Sequence, residues 1–263
     1  MSEYILANTV DRFRNSIALV GCGGTGGFAA ESLCRLLQGT PVKLRLIDGD
    51  RVEERNLGRQ NFYPEDLGRF KAQALAERLA RRYRTPVAYS ITTLQESSRN
   101  LLESCPVVVG CVDNAAARAA IAASITPGHW WVDAGNGAEF GQVLVGNARA
   151  EGFRQLMAFD PEKGLCHALP LPTWVRPELL VPAPRPQQSC AGAVEAGEQG
   201  PTINQLMAAL VVEVVRRLLE GRLTWWQVYL DLEVGSLRTV PATPEGVARL
   251  TAIREHILLA ERR

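Results

Sequence analysis

The chain has 263 residues, is 46% hydrophobic and carries a formal net charge of +1. That length suits one large α/β domain, and near-neutral charge argues against nucleic acid as the main partner. No apolar run approaches the roughly 18 residues of a membrane span, so none is expected.

The first stretch, MSEYILANTVDRFRNS, lacks the apolar core and cleavage site of a signal peptide, which points to the cytoplasm. Arg12 and Arg14 lie just before the first strand. Ile17 to Val20 is a short apolar run that suits a buried strand, expected over 16–20. Gly21, Gly23, Gly24 and Gly26 follow at once, and a helical pattern of Phe28, Ala29, Leu33, Leu36 and Leu37 runs to Gly39-Thr40-Pro41. Strand, glycine turn and helix together aim backbone N–H groups at a phosphate. The second strand, Val42 to Ile47, ends in Asp48-Gly49-Asp50. A carboxylate there, just over twenty residues after the glycines, is placed to accept hydrogen bonds from ribose hydroxyls.

Residues 51–64, RVEERNLGRQNFYP, read as a polar loop from which Asn56, Arg59 and Gln60 reach phosphates. A helix follows, packed through Ala72, Leu75, Ala76, Leu79 and Ala80. Lys71 stands near its start, where a cation opposes the helix dipole. Either an anionic ligand lies nearby or Lys71 is an ordinary surface lysine. Strands are expected at 87–91 and 106–112. The second of these ends in Asp113-Asn114 before a helix bearing Arg118. Asp113 suits Mg²⁺, a cation that takes oxygen ligands; a helix N-cap at Asp113 or Asn114 is the other reading. Strands at 130–133 and 140–145 follow, the latter antiparallel.

Seven prolines fall between Pro161 and Pro186, and 160–200 reads as a long loop. A broad-faced helix over 202–220, two strands at 225–232 and 236–240, and a final helix over 244–262 close a single domain. There are six cysteines and no CxxC pair, so no structural zinc is expected. Cys22, Cys34 and Cys111 read as small buried side chains. Cys166 and Cys190 fall in the loop-like region, and the three histidines are structural.

The segments GCGGTGG, LIDGDRVEERNLGRQNF, FKAQALAERL and VGCVDNAAAR, in that order, resemble the ThiF/MoeB/HesA family of adenylating enzymes, the bacterial side of the ubiquitin-activating (E1-like) superfamily. The likeness covers roughly residues 10–146. Further on, DAGNGAEFGQVLVG, QSCAGAVEAGEQGPTINQLMA and WWQVYLDL are similar to the ThiF-like proteins of the PRTRC system. The resemblance implies a Rossmann-like mixed sheet with helices on both faces. It implies ATP and Mg²⁺ as cofactors and adenylation of the C-terminal carboxylate of a small β-grasp protein, ubiquitin-like or sulfur-carrier. It also implies a homodimer, an E2-like protein as a further partner, and no role for nucleic acid or membrane. In that scheme Gly21, Gly23, Gly24 and Gly26 cradle the nucleotide, and Asp48, with Asp50 beside it, holds the ribose. Asn56, Arg59, Gln60 and Lys71 contact phosphates, and Asp113, next to Asn114, holds Mg²⁺. Arg14 or Arg12 reaches across the dimer. Cys190 is the candidate for a thioester, with Cys166 the weaker alternative.

Adenylation needs no general base, because a carboxylate is already ionised. It needs positive charge around a developing polyanion, which these loop cations supply. Two other classes stay open at this point: an NAD(P)-dependent oxidoreductase, and a non-catalytic adaptor that binds the carrier.

Overall fold

The computed structural model describes residues 4–7, 16–126, 128–153, 156–182 and 200–259. Arg12, Arg14 and Cys190 therefore lie outside the described residues. In chain order the elements are β1 (Ile5–Leu6), β2 (Ser16–Val20), α1 (Gly24–Leu36), β3 (Lys43–Ile47), α2 (Glu54–Leu57), α3 (Lys71–Tyr83), β4 (Val87–Ser90), β5 (Val107–Gly110), α4 (Ala115–Ser124), β6 (Trp130–Asn136), β7 (Phe140–Gly146), α5 (Ala150–Phe153), β8 (Phe159–Asp160), β9 (Leu165–Cys166), α6 (Pro172–Val175), α7 (Pro201–Leu219), β10 (Trp225–Asp231), β11 (Ser236–Pro241), α8 (Pro244–Thr251) and α9 (Glu255–Leu258).

Eight strands form one sheet in the order β11-β10-β7-β6-β5-β2-β3-β4, and β1, β9 and β8 form a small second sheet. From β4 to β6 the large sheet is parallel; β7, β10 and β11 extend it antiparallel. β2 and β5, at the centre of the sheet, are almost wholly apolar because both faces are covered. Alternate residues serve alternate cores. Ile17 and Leu19 of β2 join Val107 and Val109 of β5 beneath α1, α3 and α7. Ala18 and Val20 join Val108 and Trp131 on the other face, beneath α4. The chain moves from β2 outward to β3 and β4, then returns to β5 on the other side of β2. The crevice at that reversal is where open α/β sheets bind ligands.

Four expectations are corrected. The region 160–200 is not one loop: β8, β9, α6 and a 3₁₀ turn at Pro177–Leu180 occupy its first half. Prolines that read as breakers open α6 and the 3₁₀ turn, where a missing N–H leaves no helical bond unmade. Cys166 sits in β9 with no exposure, its thiol on the Ala168 carbonyl oxygen, so it is core and not a loop nucleophile. The last helix is broken at Ala252, which adopts φ +56°. The break lets Ile253 and Leu258 both turn into the core. Finally, the polar stretch 51–64 contains α2, a short turn of helix.

Backbone meets backbone at the glycine turn. A β-carbon on Gly26 would overlap the Gly21 carbonyl oxygen. Gly26→Ala should therefore lower unfolding free energy by about 2–3 kcal/mol. Gly58→Ala, whose β-carbon meets nothing within 4 Å, should change it little. Urea melts of the two variants compare them; equal midpoints would show that the turn yields.

Candidate active site

A cleft of about 1220 Å³ opens over the carboxyl ends of β2, β3, β5 and β6. It exceeds the roughly 300–1,000 Å³ usual for one small ligand, so it has room for more than a nucleotide. Gly21, Gly23, Gly24, Asp48, Asp50, Asn56, Arg59, Gln60, Lys71, Asp113 and Asn114 all line it. Gly26 lies behind them, in contact with Gly21.

Gly21 takes φ +89°, a conformation that suits glycine, while its side faces the Cys111 carbonyl at a distance that no β-carbon would fit. Gly23 differs: a β-carbon there would meet nothing closer than Gln60 Nε2 at 3.8 Å. No protein atom requires that glycine, and its bareness keeps the cleft floor open. α1 begins at Gly24 with no side-chain cap and no acidic residue in its first turn. Its first N–H groups and its positive dipole end are thus left for a ligand.

Asp48 Oδ2 accepts the Cys22 N–H at 2.6 Å, and Oδ1 accepts the Asp50 N–H at 2.8 Å. Burial raises its pKa against the pull of these bonds. The carboxylate is held rigid with lone pairs still open. Asn56 is only 4% exposed, and its Oδ1 accepts the Glu53 N–H at 2.9 Å. Its acceptor therefore caps α2, which leaves the amide N–H groups to face the cleft. Lys71 is buried and pairs with Asp50 at 3.1 Å, whose own side chain is 70% exposed. Asp50 accounts for part of what a ligand was invoked to explain. Arg59 Nε and Gln60 Oε1 are buried and have no hydrogen-bond partner. Unpaired buried groups of this kind cost about 1–3 kcal/mol each. Asn114 is the N-cap of α4, accepting the Ala117 N–H at 2.8 Å. That settles which of the pair caps: Asp113 stays exposed, with one 3.4 Å contact from Asn114 Nδ2.

Behind this set Arg118 Nε lies 3.2 Å from Asp133 Oδ2, both buried. Burial pushes the Asp133 carboxyl up to about 6, opposed by the guanidinium. Burial and Asp133 push the Cys111 thiol up to about 12, so Cys111 is a neutral part of the cleft wall. The far half of the cleft is lined by Gln142, Arg176, Gln227, Tyr229 and Arg238. None of these carried a sequence signal, since they come from strands and a turn that meet only in the folded sheet. Asn204 is likewise absent from the sequence reading. An amide on the buried stripe of a strong helix was the clue available. Among the described residues, no group of three or more His, Cys, Asp or Glu is placed to hold a metal ion.

A profile of the ThiF family matches residues 5–235. The chain belongs to the ThiF family. Ubiquitin-like modifier-activating enzyme 5 of Rattus norvegicus is 31% identical over 220 residues, covering 78% of this chain and 49% of that protein. The chain spans about half the length, or less, of the curated relatives it matches. Among solved structures, PaaA aligns with a TM-score of 0.61 at 18% identity, over 87% of this chain and 64% of that one. The Escherichia coli MccB structure with ATP aligns at 0.55 and 16% identity, over the same shares. These likenesses are of fold: the Rossmann-like mixed sheet with helices on both faces is that of the E1-like adenylation domain. Among the described residues of this ThiF-family chain, no helix is long and apolar enough to cross a membrane.

The Asp133 carboxyl predicts a pH dependence. Its folded pKa exceeds the unfolded value near 4, so the native state holds the proton more tightly. Stability should fall as pH rises from about 4 through about 6, then level, by on the order of 2–3 kcal/mol. Asp133→Asn keeps an acceptor for Arg118 and should flatten that slope. Urea melts at pH 4, 5, 6 and 7 test this; parallel curves for both proteins would refute it.

Proposed function

We propose that this chain uses Mg·ATP to adenylate the C-terminal carboxylate of a small ubiquitin-like or sulfur-carrier protein of the β-grasp type. The observation that carries this reading is the buried, unpartnered Arg59 Nε beside a bare glycine turn and an uncapped helix start. A buried guanidinium N–H with no acceptor, next to the open N–H groups of a helix start, fits a polyphosphate. The names and titles of the relatives support it: a ubiquitin-like modifier-activating enzyme, and MccB with ATP.

In this reading a carboxylate oxygen attacks the α-phosphorus, the bond from that phosphorus to the bridging oxygen breaks, and pyrophosphate leaves. No base is needed, and no histidine lines the cleft among the described residues. Gly21 to Gly26 and the first turn of α1 take the phosphates, and Asp48 accepts from ribose hydroxyls. Asn56, Arg59, Gln60 and Lys71 hold the leaving pyrophosphate and offset its charge. Such placed donors are each worth roughly 10²–10³ in rate. Asp113, exposed and lightly bonded, would hold Mg²⁺ together with phosphate and water oxygens, the mixed shell this ion favours. When bound, Mg²⁺ withdraws charge from the phosphates.

The finer reading follows from the resemblance. The active form is a homodimer in the cytoplasm, with Arg14 or Arg12 reaching across it. The adenylate then passes to Cys190, whose thiolate attacks the acyl carbon and expels AMP, ahead of an E2-like partner in a PRTRC-type system. Burial of Cys166 argues against it as the acceptor, and without Cys190 the reaction would stop at the adenylate.

ATP–pyrophosphate exchange with candidate β-grasp proteins tests the core claim. Exchange should require the carrier and fall at least about 100-fold in Asp113→Ala and Arg59→Ala. Nucleotide binding without exchange would favour the adaptor. No ATP binding would sink the adenylation reading. Gly23→Ala should keep wild-type stability while weakening ATP about tenfold or more. Isothermal titration beside a urea melt separates the two effects.

A further inference from the structure

Asn204 lies in the first turns of α7, where the chain returns after residues 183–199, and it has no exposure. A buried amide is costly unless every polar atom finds a partner. Here the partners come from three other elements. Nδ2 donates to the Arg59 carbonyl oxygen at 3.1 Å, just beyond α2. Oδ1 accepts from Asn136 Nδ2 at 3.2 Å, at the end of β6, and lies 3.4 Å from Thr25 Oγ1 in the first turn of α1. Thr25 in turn donates to Asn136 Oδ1 at 2.9 Å.

Two consequences bear on the phosphate end of the cleft. The Arg59 main chain is held on both sides, since its N–H also donates to the Asn56 carbonyl at 3.2 Å. The side chain, with Nε unpartnered, is aimed by a fixed backbone. Separately, a β-carbon on Gly24 would overlap the Asn204 amide. The missing β-carbon at 24 is therefore required by α7 as well as by the cleft that Gly24 lines.

We propose that Asn204 is a positioning residue that couples the first turn of α7 to the triphosphate end of the cleft. This rests on the ATP reading above. By linkage the coupling runs both ways. Whatever draws the start of α7 away loosens Arg59 and the glycine turn, and a bound triphosphate fastens α7.

The test is titration of Mg·ATP, and separately of adenosine, into the full chain. Asn204→Ala should weaken ATP about tenfold, as expected for one buried hydrogen bond left unmade, while adenosine binding holds. Asn204→Asp, which sets a carboxylate against the Arg59 carbonyl, should weaken ATP further. Gly24→Ala should match Asn204→Ala, and the double variant should lose no more than about twofold beyond either, the non-additivity of touching residues. Unchanged ATP affinity, additive losses, or an equal loss of adenosine would each overturn the coupling. Wild-type protein that binds no ATP would overturn the ATP reading and the coupling with it. Hydrogen exchange on the wild type keeps the test independent of how the variants fold. Mg·ATP should slow exchange at the N-terminal turn of α7, and unaltered exchange there with ATP bound would refute the proposal.

Discussion

The contact of Gly26 with the Gly21 carbonyl oxygen fixes how closely α1 can sit above β2. Gly21 in turn faces the carbonyl of Cys111 at the end of β5. Three segments thereby meet without side chains between them. The uncapped start of α1 is brought to the reversal point of the sheet, and Asp48 is locked against the Cys22 N–H. Were a methyl group inserted at either glycine, the helix start, the β5 end and the Asp48 carboxylate would all shift.

Charge in the cleft is arranged by depth. Lys71 is already balanced by the exposed Asp50, and Arg118 by the buried Asp133. Arg176 leans on Tyr229 and Glu178. Against that background Arg59 stands out, with a buried nitrogen that bonds nothing. A cation held by a protein carboxylate must exchange one partner for another when an anion arrives, whereas Arg59 gains a partner outright. The exposed position of Asp50 makes that exchange cheap for Lys71, and the depth of Asp133 makes it expensive for Arg118.

The parallel half of the sheet puts the cleft at its switch point. The antiparallel half, β7, β10 and β11, widens the cleft with Gln142, Gln227, Tyr229 and Arg238. Tyr229 donates to Gln227 Oε1 at 2.9 Å and accepts from Arg176 at 3.3 Å. This polar shelf lies about four strand spacings, on the order of 19 Å, from β2, beyond the glycine turn's own reach.

Much of this was legible from the chain alone, and the reason is local. β2, α1, β3 and β5 announce themselves because apolar runs, glycines and terminal acids are short-range signals within one βαβ unit. The same holds for Gly21, Asp48 and Asp113, which each sit at the end of a strand. Sequence was silent wherever meaning came from a distant partner. The prolines near 170–177 read as loop until their places at helix starts became visible. Asn114 and Asp113 were interchangeable until one of them bonded Ala117. Lys71 looked unexplained until Asp50, twenty-one residues back, came within 3.1 Å. Asn204 lies 145 residues from the carbonyl it holds. The sequence by itself determined the βαβ frame and its glycine turn, because periodicity and turn chemistry act over a few residues. The tertiary structure decided which charges are paired, which cysteine is core and which amide fastens α7, because those depend on burial and on contacts that only packing creates.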